Sequence, residues 1–109
     1  ERCNNKCMIS GVSVERCDVA HIIPFSECNE INKYDVNNGL LLDTALHRLF
    51  DKYYFSINPK TNKIEVNMNL KNLEDLGIKD YNNKHIEVFE NSKKYLEKHY
   101  EEYNKYLII

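Results

Sequence analysis

The chain has no tryptophan and little glycine or proline, with 3 Gly and 2 Pro in 109 residues. Alanine is also scarce, while asparagine, lysine, isoleucine and tyrosine abound. That skew reads as the coding bias of an AT-rich genome and is silent on mechanism. No apolar run approaches the roughly 20 residues that cross a bilayer, and no signal-peptide pattern is present, so no membrane partner is expected. Repeats and low-complexity linkers are missing, which leaves one small domain over residues 1–109. Its core is expected at about 5–68 and a helical extension at about 69–109. The first residue is Glu1 rather than Met, which reads as a domain excised from a longer protein or a processed product. An overall basic surface is also lacking. The net charge is −2 and the pI about 6.1, whereas non-specific affinity for nucleic acid comes from Lys and Arg neutralising phosphates.

What is present is a chain with 42% hydrophobic residues, ordinary for a globular fold and too apolar for wholesale disorder. Its charge is unevenly placed. Between Thr44 and Lys63 the cations Arg48, Lys52, Lys60 and Lys63 meet only Asp51, and the acidic surplus lies in the Glu-rich stretch from Glu87 to Glu102. The four cysteines, Cys3, Cys7, Cys17 and Cys28, allow two disulfides, one zinc site or four reduced thiols. Without a secretion signal the reading is reduced thiols in an intracellular compartment, cytoplasm or nucleus. A structural zinc site would usually show two Cys-x-x-Cys pairs; neither exists, so buried or idle thiols are the default.

Along the chain, Ser10-Gly11 marks a turn, and Cys17 to Ile23 is a short β-prone run stopped by Pro24. The polar, Asn-rich stretch from Ser26 to Asn38 suits a surface loop. Gly39 then opens Leu40-Leu41-Leu42, a short buried strand. Asp43 or Thr44 caps a helix through Asp51, with Leu46, Leu49 and Phe50 on one stripe. Tyr53 to Asn58 and Lys63 to Met68 read as a hairpin about Asn58-Pro59-Lys60-Thr61-Asn62. A short helix is predicted over Leu70 to Leu76, ended by Gly77. A long amphipathic helix is predicted from about Asn83 to Leu107, with Ile86, Phe89, Tyr95, Leu96, Tyr103 and Leu107 as its apolar stripe. His85 and His99 show no partner pattern and receive no role.

The stretch Ala20-His21-Ile22-Ile23-Pro24, then Asn38-Gly39-Leu40-Leu41-Leu42, then Leu46-His47-Arg48-Leu49-Phe50-Asp51, resembles the HNH endonuclease family. Its nearest branch reads roughly "AHI-P-S…NGLLL…LH-LFD". Cys7-Met8-Ile9-Ser10-Gly11 is similar to the run that precedes this signature there. The resemblance implies an α+β, ββα-metal (His-Me finger) core, here with an added hairpin and a long C-terminal helix. The same strand, loop, strand, helix order follows from turns and periodicity alone.

By the resemblance His21 is the general base that takes a proton from water, a task suited to an imidazole whose unperturbed pKa is about 6.5. Asn38 is implied to tie loop to strand and hold that base, and His47 to bind one divalent metal ion, Mg²⁺ or Mn²⁺, with Zn²⁺ open. Asp51, at i+4 from His47, shares its helix face and completes a plausible half-shell. Many family members carry Asp or His just before the base; here that position is Ala20. The second ligand is therefore Asp51, Asp18 or water, with Asp43 a further candidate better read as the helix cap. Arg48, Lys52, Lys60 and Lys63 are the expected phosphate contacts on double-stranded DNA.

Blander readings stand beside these. A histidine next to an apolar run is more often structural, Asn38-Gly39 is also an ordinary turn, and Asp51 and Arg48 also suit a solvated helix end. Two other functions stay open: an HNH-derived module that binds DNA without cutting, and a zinc-stabilised interaction domain. The oligomeric state is open.

Overall fold

Side-chain alternation in two short stretches decides the first sheet. In a computed structural model that describes residues 5–24, 27–29, 31 and 34–107, Cys17–His21 is strand β1 and Gly39–Asp43 is strand β2. They pair antiparallel, with Cys17 opposite Asp43, Ala20 opposite Leu40 and His21 opposite Gly39. Ala20, Leu40 and Leu42 are buried, whereas Val19 on the opposite face is exposed. The period of two thus separates core from solvent. Cys3 lies outside the described residues, as do parts of the 26–38 loop. The described end of that loop is a 3-10 turn, Val36–Asn38, capped by the Asp35 side chain on the Asn37 N–H.

Helix α1, Thr44–Asp51, starts at Asp43, whose carboxylate accepts from the Leu46 N–H at 2.8 Å and from the Ser10 hydroxyl at 2.7 Å. Asp43 is therefore occupied as a cap. Leu46 and Phe50 are buried and Leu49 half-buried, which lays α1 against the first sheet. A second antiparallel hairpin follows: β3, Phe55–Asn58, and β4, Lys63–Val66, with Phe55 opposite Val66 and Ile57 opposite Ile64. All four of those side chains are buried. Helix α2 is the single turn Leu73–Leu76, ended by Gly77 at φ 70°, a left-handed conformation that glycine adopts without strain.

The long C-terminal helix departs from the sequence reading. Helix α3 runs Lys93–Leu107, not from Asn83. Asn83 has φ 69°, which breaks a helix there. The following residues instead lie along the outer edge of β4. The Asn83 N–H donates to the Ile64 carbonyl at 2.7 Å, the Ile64 N–H to Lys84 at 2.9 Å, and the Ile86 N–H to Asn62 at 2.9 Å. Backbone groups of the edge thereby find partners, and Ile86 enters the core from an extended segment. Leu107, placed on the apolar stripe by periodicity, is 36% exposed.

Helix α3 packs through Tyr95, Leu96, His99 and Tyr103, all buried. His99 is 3% exposed and its ring lies flat on Phe50, centroids 3.7 Å apart and planes 4° from parallel. Its Nε2–H donates to the Phe50 carbonyl at 3.0 Å, so in the neutral ring Nδ1 accepts from the Ser56 hydroxyl at 2.7 Å. Burial pushes this imidazole down to about 4, partly opposed by the Phe50 bond. The unfolded chain therefore binds a proton here before the folded one does, and stability falls as pH drops from about 6.5 to about 4. The expected loss is roughly 3 kcal/mol across that window. Urea unfolding at pH 7, 5 and 4 checks it: His99→Phe removes this component of the slope, and an unchanged slope would refute the assignment.

Candidate catalytic and metal site

The strand period places Asp18 on the same face of β1 as the buried Ala20, and the helix period places Asp51 one turn from His47 on α1. The result is an imidazole between two carboxylates. His47 Nδ1 lies 3.0 Å from Asp18 Oδ2, and Nε2 lies 3.2 Å from Asp51 Oδ2. A neutral imidazole has one N–H for two ring nitrogens. If Nδ1–H donates to Asp18, Nε2 turns a lone pair toward a carboxylate oxygen, and only a proton or a metal cation reconciles that pair. An imidazole nitrogen with a neighbouring carboxylate, the far ring nitrogen held by a second carboxylate, is also a familiar donor arrangement for a divalent ion. The residues present therefore fit one. Among the described residues no three His, Cys, Asp or Glu side chains form a ready cage, so solvent or substrate would complete the shell.

Charge effects distinguish the two carboxylates. Asp18 is held below the usual range, first by its hydrogen bond from His47. Asp51 is raised: burial disfavours its charge more than His47 and His21 together favour it. His47 and, after it, His21 both favour the charged form of Asp51, against the burial.

His21 ends β1, half-buried. Behind it Asn38 is 1% exposed and grips the two residues that follow. Its Oδ1 accepts from the Ile23 N–H at 2.8 Å, its Nδ2 donates to the Ile23 carbonyl at 3.4 Å, and its own carbonyl accepts from the Ile22 N–H at 3.1 Å. Asp35 in turn accepts from the Asn37 N–H at 2.9 Å and from the Tyr95 hydroxyl, and the Tyr95 bond does most to lower its carboxyl.

The expected phosphate contacts separate. Arg48 and Lys52 are exposed on or just after α1. Lys60 and Lys63 are exposed on the second hairpin, where Lys60 shares a cleft with Glu97, Tyr100, Glu101 and Asn104 of α3. Cys7, Cys17 and Cys28 are free thiols, and no metal-binding group that includes them gathers among the described residues.

Residues 7–58, from the Cys7 turn through β3, match the family model described as HNH endonuclease. This segment is similar to the HNH family. The similarity suggests a nuclease-type enzyme acting on nucleic acid, and the two hairpins with α1 agree with a ββα-metal fold. No curated protein matches the chain. Three residues that hold the HNH segment in place were given no site role by the sequence: Asp35 inside it, and Tyr95 and His99 on α3 outside it. The available signal was a polar ring, His99, four residues after Tyr95 on an apolar stripe.

Removing the Asn38 side chain strands a buried Ile23 N–H. Asn38→Ala should cost about 1–3 kcal/mol of stability, read as a lower urea midpoint at unchanged m-value; an unshifted midpoint would show that water replaces the amide.

Proposed function

We propose that the chain is a divalent-metal-dependent endonuclease that hydrolyses DNA phosphodiester bonds. The observation that carries this reading is the His47 ring between Asp18 and Asp51, on a helix packed against the strand that ends in His21.

In this reading His47 Nε2 and Asp51 hold the ion, Mg²⁺ or Mn²⁺. When bound, it supplies Lewis-acid stabilisation of charge on the scissile phosphate and the departing 3′-oxygen. Asp18, although first considered as a ligand, accepts the Nδ1–H of His47 and fixes the tautomer and ring direction. Its lowered carboxyl suits an acceptor that stays ionised. His21 takes the proton of the attacking water, and Asn38 holds the turn that aims it. Arg48 and Lys52 contact phosphates of a double-stranded substrate beside the cut. Lys60 and Lys63, on the other hairpin, reach backbone farther along.

One observation favours a rival, a DNA-binding module with a disabled metal site. Ala20 stands where many HNH members carry a second ligand, and it is fully buried. Plasmid nicking with added Mg²⁺ or Mn²⁺ separates the two. The parent should cut, with His21→Ala slower by roughly 10²–10⁴-fold, the worth of a positioned general base. His47→Ala should be inactive at any practical metal concentration. Cutting by both variants at the parental rate would end the assignment of base and metal ligand to His21 and His47, and DNA binding without ion-dependent cutting would establish the module.

A further inference from the structure

The HNH match stops at residue 58, yet two residues of α3 reach both halves of the proposed site. Tyr95 and His99 are four apart, so they lie one above the other on a single helix face. The Tyr95 hydroxyl donates to Asp35, whose other carboxylate oxygen accepts from the Asn37 N–H at 2.9 Å and from Asn37 Nδ2 at 3.1 Å. That carboxylate caps the 3-10 turn presenting Asn38, and Asn38 grips Ile22 and Ile23 directly after His21. One turn along α3, His99 donates to the Phe50 carbonyl at 3.0 Å, accepts from Ser56 and stacks on the Phe50 ring. Phe50 is the covalent neighbour of Asp51. One arm ends on the base, the other on the metal-binding helix.

We infer that α3 sets the separation between base and metal in the proposed nuclease site, with Tyr95 positioning His21 through Asp35 and Asn38, and His99 positioning Asp51 through Phe50. The inference rests on the nuclease reading. A helix turn is a stiff spacer, about 6 Å over four residues, whereas the 3-10 turn that presents Asn38 is only three residues long. Rates respond steeply to displacement, since an error of about 1 Å in a reacting geometry costs on the order of 10²-fold. Neither residue touches substrate; both act through the groups they hold.

The two arms predict different defects, which loss of general stability would not produce. The full chain is compared with Tyr95→Phe, His99→Phe and Ser56→Ala, each confirmed folded by circular dichroism. Mn²⁺ affinity is measured by calorimetry without DNA, and plasmid cleavage over a range of Mn²⁺. Tyr95→Phe should lower kcat about 10-fold, with Mn²⁺ affinity and KM within about threefold of the parent. His99→Phe should weaken Mn²⁺ binding about 10-fold, the low end for groups that orient a ligand, with cleavage restored at saturating Mn²⁺. Ser56→Ala should move in the same direction by less, and it carries this arm if His99→Phe does not fold. Variants that bind and cut like the parent, or that lose both properties together in step with their melting temperatures, overturn the inference and leave the nuclease reading intact. A parent that neither binds Mn²⁺ nor cuts overturns both.

Discussion

The His47 imidazole is held from two sides by carboxylates that arrive on different elements, one from the opening strand and one from its own helix. The geometry around it depends on this bracket. Asp18 reaches the ring only while β1 keeps its register against β2, because a slip of one residue would turn Asp18 to the opposite face. Asp51 reaches it only while α1 keeps its last turn. The cap at Asp43 starts that helix and the aromatic contact of Phe50 with His99 secures its end.

The position of Asp18 also gives the alanine at position 20 a physical explanation. Ala20 is fully buried between sheet and helix, where a carboxylate would have to be desolvated. Asp18, two residues earlier on the same face, is 44% exposed and remains close enough to contact His47. The strand thus presents an acid to the helix nearer the solvent boundary, where ionisation costs less.

Much of this was legible in the sequence. The strand, strand, helix order followed from a β-prone run ended by Pro24, the Leu40-Leu41-Leu42 run and the 3.6-residue stripe of α1. The i, i+4 spacing alone joined His47 to Asp51. Other features depended on contacts between distant segments. Nothing local distinguishes Asp35 from other loop acids, since its meaning comes from Tyr95, 60 residues away. His99 resembled a stray polar residue until Ser56 and Phe50 stood on either side of it. The start of α3 was misjudged because Ile86 fits a helical stripe as well as it fits an extended edge, and the left-handed backbone at Asn83 decides between them.

The stretch from Asn83 to Ile86 along the edge of β4 has a consequence of its own. Without it the outer margin of β4 would be a row of open amides and carbonyls beside buried isoleucine and valine, the kind of margin on which another chain can add a strand. By covering it, four residues between the hairpin and the last helix discourage self-association. Loss of that cover alone would leave the hairpin prone to aggregate, even with every side chain around His47 intact.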